Sequence, residues 1–252
     1  MQRSLRLKTI ISAVNTQGRV SVEGLSELTG VSAITIRRDL TQLESQGLIA
    51  RAHGAAVRAS QRGTPMPFAA RAEAHHGTKV QLAGAVAALI QDHEALIIDN
   101  GTTCLAVAQE LAGRPLTVLP LSLHAAAAIA GRAGAEVVTP GGPIETDSLA
   151  YYGAAAVESV REFRADTYIM SSCSAHPAHG LTSTGKEDAL LKQAALGQSG
   201  RAILVATADK LERTSPFEIA PIDALTHLVT TRDAPTDILT EYRALGIEVT
   251  QV

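Results

Sequence analysis

The sequence predicts an α/β chain in two parts: a small N-terminal domain of three helices and a β-hairpin, then a larger, open, mostly parallel, doubly wound α/β domain. Three observations carry that expectation. The first 58 residues hold short apolar-periodic segments punctuated by glycines. From residue 75 to 252, short apolar runs alternate with helical patterns, as parallel βαβ units do. Between the two, residues 59–74 open on Ala59-Ser-Gln-Arg-Gly-Thr-Pro-Met-Pro67, a polar stretch with no apolar period that reads as a linker.

Composition bounds the class. At 46% hydrophobic and 19% charged, the chain is neither disordered nor fibrous. Aromatics are 3% and Trp is absent, so the core must be built from Ala, Val, Leu and Ile. No apolar run is long enough for a membrane helix and no signal-peptide pattern opens the chain, so the cytoplasm is the expected location and no membrane partner is expected. Cys104 and Cys173 lie far apart and outside any CxxC spacing, which predicts buried thiols rather than a disulfide. The net charge of −3 is unevenly spread. Residues 1–60 carry eight basic against four acidic side chains, a net of +4, which leaves −7 for the rest. A basic head on an acidic body suits a head that meets phosphate.

Leu5, Leu7, Ile10, Ile11 and Val14 predict a first helix over 4–15, stopped at Gly18. Ser21 caps a second helix ending at Gly30, and Ser32 caps a third through Ile34, Ile36, Leu40 and Leu43 to Gly47. Two short helices, a glycine turn and a longer third helix make a helix-turn-helix. Leu48–Arg51 and Ala55–Arg58 around Ala52-His53-Gly54 form a hairpin, the wing of a winged helix-turn-helix. Ser32, Thr35 and Arg37 near the start of the third helix are the candidate base contacts, with Arg38 on the DNA backbone or paired with Asp39 or Glu44. Arg51, His53 and Arg58 on the wing are candidate phosphate contacts. The string GRVSVEGLSELTGVSAITIRRDLTQLESQGLIARAHGA over 18–55 resembles the DNA-binding head of the DeoR family of bacterial regulators, with Ala55 standing where a second glycine is usual.

In the larger domain the predicted strands are 96–99, 117–119, 136–138, 167–170, 202–206, 227–230 and 248–250. The predicted helices cover Phe68 or Thr78 to Gln91, then 102–111, 123–130, 154–162, 186–198 and 235–245. In such a sheet, ligands sit beyond the carboxyl ends of strands, at a topological switch point. Asp99-Asn100-Gly101-Thr102-Thr103 ends a strand and opens a helix, where backbone amides and two hydroxyls can cradle an anion. Gly141-Gly142 permits close backbone approach, and Lys210 adds a cation near another strand end.

This domain also resembles the DeoR sensor domain, which is similar in fold to ribose-5-phosphate isomerase and takes sugar phosphates or related intermediates as effectors. The resemblance rests on DNGTT at 99–103, Ser122 in LSL, Gly141-Gly142, GLTS at 180–183 with Glu187 and Lys192, and TADK at 207–210. It departs at Pro120, Leu121, Cys173, Thr207 and Ala208. The resemblance therefore implies a repressor that binds operator double-stranded DNA as a homo-oligomer, dimer or tetramer, and is released by a small phosphorylated metabolite. The departures imply an effector unlike the common hexose or glycerol phosphates. Effector contacts are expected from Asp99 to Thr103, Ser122, Gly141, Gly142, Cys173, Glu187, Lys192 and Lys210.

Two other classes are weaker. An isomerase needs a positioned acid and base, and no second acidic residue is evident beside the DNGTT loop, so no enzyme activity and no cofactor are expected. Cys173, His176 and His179, three residues apart, have a spacing that suits a metal- or redox-responsive regulator. A fourth ligand is missing and Pro177 suggests a loop, so no metal site is assigned.

Overall fold

The computed structural model describes residues 3–45, 49–52, 54–58, 67–172 and 174–252. Contacts divide the chain into two compact units, Met1–Arg71 and Ala72–Val252.

In the first unit α1 (Arg3–Gln17) leads through Gly18, at φ 73°, into β1 (Arg19–Ser21). α2 (Val22–Thr29) begins at Ser21, whose hydroxyl accepts from the Gly24 N–H at 3.0 Å, and stops at left-handed Gly30. α3 (Ala33–Ser45) follows, then β2 (Ile49–Ala52) and β3 (Ala55–Arg58), which pair antiparallel, with β1 added on the far side of β3. Ile10, Val14, Leu25, Ile36, Leu40, Leu43, Ile49 and Ala56 form one core. Full burial of an aliphatic of this size contributes roughly 1.5–3 kcal/mol, so the apolar stripe of α3 fixes which face of that helix stays outside.

The helix expected from Phe68 or Thr78 to Gln91 is two helices, α4 (Phe68–Glu73) and α5 (His76–Leu89), the second close to the later start. The break falls at His75, which holds a left-handed φ of 57°. The second unit then continues β4 (Ala95–Ile98), α6 (Thr102–Leu111), β5 (Thr117–Pro120), α7 (Leu123–Ala130), β6 (Glu136–Val137), α8 (Gly153–Arg161) and β7 (Ala165–Met170). Next come β8 (Ser174–His176), β9 (Gly180–Ser183), α9 (Lys186–Gly197), β10 (Ser199–Val205), a 3-10 turn at Ala208–Lys210 and β11 (Phe217–Ala220). A second 3-10 turn at Ile222–Ala224, β12 (His227–Thr230), α10 (Thr236–Ala244) and β13 (Glu248–Gln251) complete it.

Seven strands form one sheet in the order β13-β12-β10-β7-β4-β5-β6, every pairing parallel. Its inner strands β4, β5, β7, β10 and β12 are largely apolar on both faces, as burial on both sides requires. Leu96, Ile98, Ile169 and Ile203 pack with α5, α6 and α7, while Ile97, Tyr168, Met170 and Leu204 pack with α8, α9 and α10. The sheet is doubly wound, and its order reverses at β4 and β7. β8, β9 and β11 form a separate antiparallel sheet that the sequence reading missed, having taken 173–179 for a loop. No helix among the described residues is long and apolar enough to cross a membrane.

Candidate functional site

The buried stripe of α3 turns Ile34, Arg37, Arg38 and Thr41 outward on the opposite face. Ser32 lies just before the helix, its hydroxyl 3.1 Å from that of Thr35 and accepting from the Thr35 N–H at 3.4 Å, so Ser32 caps the first turn. Arg37 and Arg38 are exposed, with no side-chain partner among the described residues. The pairing of Arg38 with Asp39 offered above does not occur. Successive helix residues point about 100° apart, so Asp39 faces inward, 2% exposed. There Arg6 Nε donates to it at 2.6 Å and Arg3 Nε lies 3.8 Å away. The strands of the wing bring Arg51 opposite Ala56; its side chain, that of Arg58 and the whole of His53 lie outside the described residues.

In a parallel sheet all carboxyl ends lie along one edge, and Asp99, Ser122 and Lys210 follow strands there. Asp99 and Ser171 follow the adjacent strands β4 and β7 at the switch point. Asp99 is fully buried: Oδ1 accepts from the Asn100 N–H at 2.8 Å, and Oδ2 from the Ser171 N–H at 2.9 Å and from Lys192. The Lys192 ammonium, 2% exposed, also reaches Ser171 O at 3.3 Å and Asp188 Oδ1 at 3.4 Å. Asp188 in turn accepts from Asn100 Nδ2 at 2.8 Å and from the Ser183 hydroxyl at 2.7 Å. Burial pushes the Asp99 carboxyl above the usual carboxylate range against the pull of Lys192. At Asp188 burial works the same way but is outweighed by Lys192 and the hydrogen bonds from Asn100 and Ser183, so its carboxyl lies below that range. Burial and then the charges of Asp99 and Asp188 push the Tyr168 phenol well up.

The expectation of no second acidic residue beside DNGTT is thus corrected, since Asp188 stands there. It was missed because α9 supplies it from 88 positions along the chain. Glu187, its neighbour, faces solvent. Gly101 holds φ 102° and has no side chain to cap α6, leaving the first amides of that helix without an intrahelical partner. A Cβ at Gly101 would lie 3.1 Å from the Ser171 hydroxyl. Thr103 is buried and Thr102 half-buried beside it. Ser122, after β5, is buried and caps α7 by accepting from the Ala125 N–H at 3.2 Å. Gly141 and Gly142 lie exposed beyond β6, Gly142 at φ 102°. Lys210 ends the 3-10 turn after β10, and burial pushes the Cys104 thiol far up.

Cys173 lies outside the described residues. His176 and His179 do meet, ring centroids 4.6 Å apart, but His176 Nδ1 accepts from the Ala178 N–H at 3.1 Å. Among the described residues no group of three or more His, Cys, Asp or Glu is arranged to hold a metal ion.

Residues 6–62 match the DeoR-like helix-turn-helix domain, and residues 74–232 match the DeoR C terminal sensor domain. The chain belongs to the DeoR family. It is similar to the transcriptional repressor AccR of Agrobacterium fabrum, 30% identical, with 93% of this chain and 92% of that one covered. It is likewise similar to the HTH-type transcriptional repressor GlcR of Bacillus subtilis, 28% identical over 92% and 90% of the two chains. Among solved structures it resembles ribose 5-phosphate isomerase A of Methanocaldococcus jannaschii, at 14% identity and a TM-score of 0.40 over 54% of each chain. As a DeoR member the protein is a DNA-binding transcriptional regulator rather than an enzyme. The network joining Asp99, Lys192 and Asp188 accordingly ties α9 to the ends of β4 and β7 in a sensor domain.

Proposed function

We propose that this DeoR protein represses genes of carbohydrate or related catabolism and leaves its operator when a small phosphorylated metabolite binds the second unit. α3 and the wing are read as the DNA contact, with Ser32, Thr35, Arg37, Arg38, Arg51 and His53 against the duplex. The observation that carries the effector half is the amino end of α6. It lies at the switch point, opens on a glycine without a side-chain cap and has the Thr102 and Thr103 hydroxyls beside it. Asp99, Asn100 and Lys192 frame that cup; Ser122, Gly141, Gly142, Cys173, Glu187 and Lys210 belong to its surroundings. Leu121 is fully buried in the core and the Thr207 hydroxyl is held by Asp209 at 2.5 Å. Neither position offers a free group to a sugar hydroxyl, which favours an effector unlike hexose or glycerol phosphates.

The mechanism is linkage: an effector that prefers one arrangement of the protein lowers operator affinity by its differential affinity. A single helix and wing bury too little surface for tight specific binding, so a dimer or tetramer on paired half-sites is part of the proposal. The test is a thermal-shift screen of the full chain against phosphorylated sugars, their unphosphorylated parents and other central metabolites. Ligand at 100 times its Kd adds about 2.7 kcal/mol of stability. Hits confined to phosphorylated compounds, which then dissociate the protein from operator DNA in a mobility-shift assay, are expected. Hits only among neutral compounds or metal ions overturn the anion cup. The metal reading has the weaker support, because a metal on His176 Nδ1 must displace the Ala178 N–H.

A further inference from the structure

Ile34 is 66% exposed, more than any other large hydrophobic residue among those described. It is the second residue of α3, in the turn that a recognition helix presents to base edges. Arg37, Arg38 and Thr41 follow it at the spacings that share one helix face, all three exposed. Among the described residues of the head, this aliphatic side chain stays mostly in water beside two cations, outside the apolar core. The hydroxyls nearest to it in sequence belong to Ser32, which caps the helix, and to Thr35, 3.1 Å from the Ser32 hydroxyl. The floor of the major groove is polar except for one group, the C5 methyl of thymine.

We propose that Ile34 is a base-reading residue that packs on the C5 methyl of a thymine in the operator, with Arg37 and Arg38 holding the phosphates and bases beside it. This rests on α3 being the helix that enters the groove. The chemistry is burial of a methyl group against an aliphatic side chain. It discriminates thymine from cytosine at one base pair without any hydrogen bond.

The experiment uses the full chain and a duplex selected by it from a random pool. Each thymine of that duplex is replaced in turn by deoxyuridine, which removes the methyl and nothing else. Wild-type protein should lose about three- to tenfold in affinity at one position, the scale of one buried methyl group. Ile34→Ala should lose a similar factor on the unmodified duplex and nothing further on deoxyuridine at that position, while Ile34→Val keeps most of the methyl preference. The side chain is exposed, so the melting temperature of the head should not change. Arg38→Ala serves as the control for the helix: if it leaves affinity untouched, the placement of α3 in the groove fails and this inference with it. If Arg38→Ala weakens binding but the Ile34→Ala and deoxyuridine losses simply multiply, or no deoxyuridine position weakens binding, the role of Ile34 is overturned while the DNA-binding helix stands.

Discussion

Replacing Lys192 by Met removes the cation between two carboxylates and keeps most of the stem's volume. In the wild type the ammonium touches Asp99 and lies 3.4 Å from Asp188 Oδ1, at 2% exposure. Asp188 keeps Asn100 and Ser183, but Asp99 is left fully buried with only Ser171 and the Asn100 amide as donors. Breaking a buried pair by deleting one partner costs about 3–5 kcal/mol. For a domain of this size each kcal/mol is worth about 2–4 °C, so the melting transition of the second unit should fall by roughly 6–20 °C. The loss must depend on pH. Burial already holds the Asp99 carboxyl above its ordinary range, and deleting Lys192 pushes it higher. A carboxyl whose folded pKa is raised stabilises the fold fully below the unfolded value, and that stability is lost as pH rises through the folded value. The deficit of Lys192→Met relative to wild type should therefore be smaller near about pH 5 than near about pH 8. Calorimetric melts at both pH values measure it, and Asp99→Asn added to Lys192→Met should recover much of the loss and abolish its pH dependence. A transition within about 2 °C of wild type at neutral pH, or a loss equal at both pH values, would show that the pair is not the energetic tether between α9 and the strand ends.

In the head, Asp39→Ala removes the buried carboxylate that Arg6 Nε meets at 2.6 Å and should lower the midpoint of urea unfolding, whereas the apolar pair Arg6→Met with Asp39→Leu should regain most of it. Gly180→Ala should cost at least about 1–3 kcal/mol, because φ is 72° and the new Cβ would lie 2.5 Å from Ala220 O, a backbone atom that cannot swing away. Denaturant unfolding checks it, and an unchanged midpoint would mean that β9 and β11 separate readily. Arg38→Ala should weaken binding to all duplexes alike and reduce the slope of log affinity against log salt by about 1 if the guanidinium meets a phosphate, and relax one base position instead if it meets guanine.

The fold was legible wherever a segment carried its own punctuation. Ser21 and Gly30 bracket α2 by a hydroxyl cap and a left-handed glycine, both visible in the sequence as residue types at the right places. The runs around 97, 118, 168, 203 and 228 are apolar on both faces, which only a sheet covered on both sides tolerates, and the parallel order followed from the helices between them. The antiparallel β8-β9-β11 sheet was not legible. Its strands are three or four residues long, and β9 meets β11 across 34 positions of chain that contain a helix and another strand. Pairing of that kind is decided by tertiary packing of Ala175, Leu181 and Ile219 into the core, not by any local period.

The site divides along the same physical line. Asp99 and the amino end of α6 could be found because a strand end and a helix start adjoin in sequence, so the amides and the carboxylate are neighbours by covalent geometry. Ser171 reaches Asp99 from 72 positions away and Lys192 from 93, distances over which a sequence carries only residue types. Even so, one partner had a local signal. On a helix the residue four before Lys192 shares its face, and the residue five before does not. That rule selects Asp188 over Glu187, as the structure does, with the 3.4 Å contact on one and solvent around the other. Glu187 entered from the family pattern as an effector contact, a different role from that of ion partner to Lys192. The period points to that partner because Lys192 is buried, and an acid that shares its face must be buried near it or leave the ammonium uncompensated.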